Sequence, residues 1–379
     1  MLSTFGAIWM KFASVIMSFI MSFGTTFGIF VPATTTAPED YIDNNIKNVI
    51  YLIGDGMGFN HLEKAKNERN IKLTMDTFEF KGESMTRSFT NEVTDSAAGG
   101  TALATGVRTY NGAIGVYPMD SLDVFSHPKN LTELCLESGK MTGVITTDET
   151  SGATPASFSA HSSDRGNTED ITEDQLTSDI DLIWGAQNGV ATKENAEANG
   201  FTYVTTTAEM LALKEGSRSF AQFTNALWTL TPSDINTPNL EMMTMKAIDL
   251  LDDTDEGFFL MVEGAHIDKH SHSNEDENMT EALQEFDETI EYVLNYAKAD
   301  GETLVVITAD HETGAIVANS DGTYSFTSGS HSDANVPVLV YGSEVLIQNG
   351  EVLNNYEIPI RIAYILGFTK EEFPFEVVA

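Results

Sequence analysis

The chain has 379 residues, 41% of them hydrophobic, which is ordinary for an α/β protein with one large core. Its 57 acidic and 20 basic residues give a formal net charge of −37, which argues against nucleic acids and anionic membranes as partners. The single cysteine, Cys135, excludes an internal disulfide framework.

The first 33 residues are apolar and carry one charge, at Lys11. A basic start, an apolar run and small residues ending at Ala33 are typical of a secretory signal peptide. An uncleaved N-terminal anchor is the alternative, because the apolar run is long for a signal. We expect residues 1–33 to direct export to the periplasm or the extracellular medium. Residues 34–379 are then expected to form one domain without a membrane segment.

Five apolar runs are predicted to be strands, and their continuous apolar character is typical of buried, mostly parallel sheets. They are residues 47–53, 142–147, 257–262, 303–308 and 337–342. Helices are predicted at 131–138, 240–251 and 279–298, the last two of them amphipathic, so the pattern indicates an α/β fold. Residues 166–255 are the least informative part, and we interpret them as a peripheral covering region.

Acids, histidines and a threonine follow four of the predicted strands, at the ends where open α/β sheets bind ligands. Mixed carboxylate and imidazole ligands suit zinc, while carboxylates with hydroxyl groups suit magnesium. The sequence therefore predicts a polynuclear metal site. Its candidate ligands are Asp55, Glu263, Asp268, Asp310 and His311, and the fourth strand end carries the loop of residues 152–154.

Two further patterns concern histidines. Asp268 and His272 are four residues apart, so one helical turn places both on the same face. By contrast, His61, His127 and His161 are interpreted as ordinary hydrogen-bonded or surface histidines.

A run of small residues from Ala97 to Gly106 is predicted to be a helix that Asp95 caps. Ser96 would then lie at the helix N-terminus, where free N–H groups and the helix dipole favour an anion. Arg165 is a candidate phosphate ligand, because its planar guanidinium matches phosphate oxygens.

Together, four motifs resemble those of the alkaline phosphatase family, in that family's order, between about Asn48 and Gly342. They are Asp95-Ser96-Ala97, Glu263-Gly264-Ala265-x-Ile267-Asp268-x-x-x-His272, Thr308-Ala309-Asp310-His311-Glu312-Thr313-Gly314 and Gly329-Ser330-His331. The combination is specific, although each motif alone is weak.

The resemblance implies a three-layer sandwich whose large, mostly parallel central sheet is flanked by helices. It also implies hydrolysis of small phosphate monoesters at alkaline pH through a phosphoserine intermediate, two zinc ions, one magnesium ion and a homodimer. The implied ligands are Asp268, His272 and His331 for the first zinc, Asp55, Asp310 and His311 for the second, and Asp55, Thr154 and Glu263 for magnesium. The implied catalytic residues are Ser96 and Arg165, with Asp95 and Lys269 as further substrate-binding residues.

Two departures from the family pattern affect these expectations. Gly152 stands where the family commonly has an aspartate or histidine near the third metal, and His270 is a candidate replacement. Only 20 positions separate His311 from His331, so we expect a compact version without a large insertion there.

Two other functions are alternatives. A phosphodiesterase or sulfatase of the same superfamily would share the two-zinc core, but Arg165 and Glu263 favour monoesters. The other alternative is an exported metal- or phosphate-binding protein without activity. The complete set of nucleophile and ligands disfavours it.

Overall fold

The computed structural model describes residues 42–43, 45–118, 127–223, 236–252 and 254–373. All of them belong to the compact unit Pro38–Ala379. The predicted signal peptide, residues 1–33, lies outside the described residues. Within the described ranges, no helix combines the length and apolar character needed to cross a bilayer.

The described chain alternates strands and helices. The strands are β1 (Asn48–Gly54), β2 (Phe80–Met85), β3 (Met141–Glu149), β4 (Leu182–Ala186), β5 (Thr202–Val204), β6 (Ser219–Phe223), β7 (Phe258–Gly264), β8 (Thr303–Thr308), β9 (Glu312–Thr313), β10 (Val317–Ala318), β11 (Tyr324–Ser325), β12 (His331–Ser332), β13 (Val336–Tyr341) and β14 (Val352–Asn354). The helices are α1 (Phe59–Arg69), α2 (Ser96–Thr105), α3 (Leu131–Glu137), α4 (Ala153–Ser157), α5 (Thr168–Thr177), α6 (Lys193–Ala198), α7 (Thr207–Leu211), α8 (Leu240–Leu251), α9 (His266–His272), α10 (Asp276–Asp300) and α11 (Glu357–Ile365), with a 3₁₀ turn at Thr74–Thr77.

Ten of these strands form one sheet in the order β14-β2-β13-β8-β1-β7-β3-β4-β6-β5. Among them β13 alone runs against the others, because it pairs antiparallel with both β2 and β8. The four strands that carry candidate ligands at their carboxyl ends are therefore neighbours in the sheet, in the order β8, β1, β7 and β3. They run parallel, so their carboxyl ends meet at one edge of the sheet.

The side chains of β1 show why the sheet has a helical layer on each face. Ile50 and Leu52 belong to a core that also contains apolar residues of α8 and α10. Val49, Tyr51 and Ile53 point the other way, into a core shared with α2, α3 and α11. The predicted three-layer α/β sandwich with a mostly parallel central sheet is confirmed.

The interpretation of residues 166–255 as a covering region needs a correction. These residues supply β4, β6 and β5, which extend the central sheet beyond β3. They also supply α8, which packs on β3 and β7. The three strands are only three to five residues long, so the polar loops between them dominate the composition of the region.

Helix α10 buries an acid in the core layer between it and α8. Glu285 is 6% exposed, and its Oε1 accepts a hydrogen bond from the Leu240 N–H at 3.2 Å. Burial raises the pKa of the Glu285 carboxyl to about 7. The folded state therefore favours the protonated carboxyl, whereas the unfolded chain ionises it near its ordinary value.

We expect the variant Glu285→Gln to change how stability depends on pH. The raised pKa means that the wild type loses stability as pH rises from about 4.5 through about 7, while glutamine keeps an acceptor for Leu240 and cannot ionise. In urea unfolding, the free energy of unfolding of the variant minus that of the wild type should increase by about 3 kcal/mol between pH 4 and pH 8. Glu291→Gln, on the exposed side of the same helix, is the control, and parallel pH profiles for all three proteins would contradict the prediction.

Candidate metal centre

Ser96 begins α2, and its position follows from the local sequence. The Asp95 side chain accepts a hydrogen bond from the Ala98 N–H at 3.0 Å, so the predicted helix cap is present. The helix lies close to the end of β8, since a Cβ on Gly99 would come within 2.8 Å of the Asp310 carbonyl oxygen. This close approach leaves Ser96 only 5% exposed, with its Oγ 3.1 Å from Nε2 of His311.

Arg165 is held at the same helix terminus. Its Nη1 donates to Oδ2 of Asp95 at 3.0 Å, and its backbone N–H donates to the Gly112 carbonyl at 2.7 Å. The Gly112 N–H also donates to Oδ2 of Asp95. Asp95 therefore caps the helix and anchors the arginine, while 41% of the Arg165 side chain stays exposed. The sequence predicted the cap but not the link to Arg165.

Next to Ser96, three side chains form a buried cluster. Asp310 and His311 are fully buried, and Asp55 is 7% exposed. Nε2 of His311 lies 3.3 Å from Oδ2 of Asp310 and 3.6 Å from Oδ1 of Asp55. Within the described residues, Oδ1 of Asp55 has no hydrogen-bond partner. A buried carboxylate oxygen without a partner is costly unless a cation binds it, so this cluster fits a metal ion.

The pKa values of this cluster reflect the cost of burying charged groups. Burial raises the pKa of Asp55 well above its ordinary range, and repulsion from Asp310, the next largest cause, adds to the shift. Burial also lowers the pKa of His311 to about 3, which leaves its imidazole neutral and able to act as a ligand.

A second cluster adjoins the first and contains Asp268, His272 and His331. The two Nε2 atoms of the histidines lie 3.1 Å apart, and they lie 3.4 Å and 3.6 Å from the Asp268 carboxylate. His272 Nδ1 is bonded to the Gly329 carbonyl and His331 Nδ1 to the Thr94 carbonyl. Each Nδ1 must carry the proton, so two Nε2 lone pairs face each other, and a cation between them resolves the conflict.

The short strands place His331 in this cluster. β12 pairs antiparallel with β9, which sets His331 opposite Thr313 and returns the chain to the end of β8. The Thr313 hydroxyl contacts both Oδ1 of Asp268 and Nδ1 of His311, at 3.2 Å from the latter. Thr313 therefore orients ligands of both clusters, a role that the sequence did not reveal.

The remaining candidate ligands lie at the ends of β3 and β7. Thr154 in α4 donates its hydroxyl to Oδ2 of Asp310 at 3.4 Å, and α4 packs on β7. Glu263, 1% exposed, accepts a hydrogen bond from the Thr146 hydroxyl. Burial raises the pKa of Glu263 to about 8, and the charge of Asp148 is the next largest cause.

Asp148 also occupies the space beside Gly152. A Cβ built on Gly152 would lie 2.8 Å from Oδ2 of Asp148, and Lys269 forms an ion pair with the same carboxylate. His270 was the candidate replacement predicted for this space, but it bonds Glu275 at 2.7 Å instead. The space beside Gly152 therefore holds a carboxylate, that of Asp148, and Lys269 pairs with this carboxylate.

All the candidate ligands predicted from the sequence therefore lie at one edge of the sheet, around Ser96. Known proteins resemble this chain in sequence and in fold. The sequence profile of the alkaline phosphatase family matches residues 46–186 and 177–357. Alkaline phosphatase 4 of Bacillus subtilis is 35% identical in an alignment 299 residues long, which covers 73% of this chain and 64% of that protein. The chain thus spans slightly less than two thirds of that relative's length.

Among solved structures, alkaline phosphatase from the Antarctic bacterium TAB5 superposes with a TM-score of 0.72 at 31% identity, covering 85% of this chain and 98% of that one. A variant of the TAB5 enzyme with Mg bound in its M3 site gives a TM-score of 0.71 with the same identity and coverage. The motifs, the sheet and the matched profile extend over most of the chain. It belongs to the alkaline phosphatase family.

Proposed function

We propose that this protein hydrolyses phosphate monoesters at alkaline pH, with Ser96 as the nucleophile. The observation that carries the proposal is the position of the Ser96 hydroxyl, 3.1 Å from His311 and beside carboxylates that need a cation. A buried serine at a helix N-terminus, facing a metal cluster and an anchored arginine, is arranged for phosphoryl transfer.

We further propose that the cluster holds two zinc ions and one magnesium ion. The first zinc would take a carboxylate and two imidazoles, the second would take two carboxylates and an imidazole, and magnesium would take carboxylates and a hydroxyl. The proposed sets are Asp268, His272 and His331; Asp55, Asp310 and His311; and Asp55, Thr154 and Glu263. The Mg bound in the TAB5 variant supports the magnesium assignment.

The chain's own residues then account for the reaction. Bound zinc supplies a Lewis acid that lowers the pKa of the nearby hydroxyl and stabilises charge on the leaving oxygen. Ser96 attacks phosphorus, the alcohol leaves, and water later hydrolyses the phosphoserine. The free N–H groups of α2 and the guanidinium of Arg165 bind the phosphate oxygens. Asp95 keeps Arg165 in place through its 3.0 Å contact.

The same site favours monoesters over diesters. A monoester phosphate carries two negative charges, and Arg165 with three divalent cations outweighs the four ligand carboxylates. The exposed guanidinium of Arg165 leaves its remaining donors available for a terminal phosphate. A diester has fewer charged oxygens for these donors, so the diesterase alternative is the second candidate.

Homodimerisation and export stay predictions.

The proposal predicts selective, metal-dependent turnover. At alkaline pH the protein should hydrolyse p-nitrophenyl phosphate far faster than bis(p-nitrophenyl) phosphate. Chelation should abolish the activity, and zinc with magnesium should restore it. A preference for the diester would favour the second candidate, and no turnover of either ester after metal addition would contradict the proposal.

The variant Ser96→Ala should lose at least about a thousandfold in kcat, because the nucleophile is removed. Its metal content should stay that of the wild type. Rapid acid quenching of the wild type with substrate, followed by peptide mass spectrometry, should find phosphate on Ser96. The nearby variant Ser157→Ala, in α4, is the control. Undiminished turnover by Ser96→Ala would contradict the assignment.

Asp148 should act as the carboxylate that Gly152 lacks. The variant Asp148→Ala should raise the magnesium concentration for half-maximal activity by about tenfold, as loss of a residue supporting metal ligands does. Glu149→Gln, an exposed neighbour, should leave it unchanged.

A second change should restore the wild-type response. Gly152 has φ −53° and ψ 150°, which other residues adopt, and the Asp148 side chain is the closest obstacle to a Cβ there. Adding Gly152→Asp to Asp148→Ala should therefore return the magnesium dependence towards that of the wild type. A magnesium response that none of these substitutions alters would contradict the role of Asp148.

A further inference from the structure

We propose that His127, Glu133 and His161 form a separate divalent-metal site of the kind that binds zinc. This site goes beyond the proposed phosphatase function and does not rest on it. The three residues share no ligand with the clusters around Ser96.

The three side chains come from different parts of the chain. Glu133 lies in the first turn of α3, His127 precedes that helix, and His161 follows α4. One ligand atom of each lies within 4.8 Å of the other two. Nε2 of His161 is 3.1 Å from Oε1 of Glu133, and the two imidazole rings stack with centroids 3.5 Å apart.

Contacts outside the cluster fix two of the three ligands. His161 Nδ1 is bonded to the Gly115 carbonyl at 2.6 Å, so this nitrogen carries the proton and Nε2 faces the cluster. Oε2 of Glu133 accepts the Asn130 N–H at 2.9 Å, as part of the cap of α3, which leaves Oε1 for an ion. Histidine ligands in metal sites are oriented by such bonds to backbone carbonyls.

The surroundings suit a cation with an open coordination position. The three residues line a cavity of about 610 Å³, which leaves room for water beside the ion. Asp174 lines the same cavity, and its carboxylate accepts the His161 backbone N–H at 2.8 Å. Two imidazoles, one carboxylate and an open position are a common zinc donor set.

A similar pair of stacked imidazoles occurs in the candidate metal centre, where the proposed sets assign His311 and His331 to two adjacent zinc ions. His311 and His331 stack with centroids 3.6 Å apart and an angle of 22° between their planes, against 24° for His127 and His161. An ion pair between His161 and Glu133 alone would explain their contact. It would not explain why a second imidazole lies against the first, with its ligand atom near the same carboxylate.

An ion at this site would join α3 to the segment that leads to Arg165. After His161, Ser162 pairs with Ile114, and the Arg165 N–H bonds the Gly112 carbonyl. We therefore expect zinc to stabilise the fold through this site, in addition to any zinc bound near Ser96.

The test compares zinc binding by the whole protein and by variants. Equilibrium dialysis against micromolar zinc, followed by elemental analysis, should find one more zinc per chain in the wild type than in His127→Ala. His127 is exposed, so this substitution should not prevent folding. Glu133→Gln keeps an acceptor for Asn130 and should also lose that zinc. Glu137→Gln, in the same cavity, is the control and should keep it.

Two further readouts identify the site. With cobalt in place of zinc, the visible spectrum of the wild type minus that of His127→Ala should show a band of a four-coordinate ion. Zinc should raise the melting temperature of the wild type more than that of His127→Ala. Equal zinc content in the wild type, His127→Ala and Glu133→Gln would overturn the proposal, whatever the phosphatase activity of these proteins.

Discussion

The constraint on which the rest of the structure depends is the cost of burying four carboxylates together. Asp55, Glu263, Asp268 and Asp310 are each at most 7% exposed and meet at one sheet edge. Burial raises the pKa of three of them, Asp55, Glu263 and Asp310, so in the absence of cations the site would take up protons. Divalent ions would remove this cost and would create a positive centre on an acidic protein. In the proposed function, metal binding and anion binding are thus two results of one arrangement.

The rest of the fold serves this arrangement. Four parallel strands in the middle of the sheet deliver ligands to one edge, and close backbone approaches hold them there. Gly56, with φ +72°, is one such approach, because a Cβ there would lie 2.8 Å from Cα of Asp268. Gly99 in α2 is another, against the backbone of Asp310. A side chain at either position would push Ser96 or a ligand strand away from the centre.

The sequence predicted the central strands well, and it predicted that the candidate ligands follow them, because buried parallel strands are continuous apolar runs and their polar ends stand out. It did not predict β4, β5 and β6, whose short apolar runs are surrounded by polar loops. It also missed one local contact and one contact between distant residues. Asp148 beside Gly152 and the grouping of His127 with His161 leave no pattern of spacing along the chain. Such contacts depend on packing, which local patterns do not encode.

The most direct test of the account is the location of metal in crystals of the protein loaded with zinc and magnesium. Anomalous diffraction above the zinc absorption edge should show two peaks beside Ser96. One should lie among Asp268, His272 and His331 and the other among Asp55, Asp310 and His311, each about 2.0–2.2 Å from its ligand atoms. The absence of both peaks, or zinc only outside these two groups, would contradict the account.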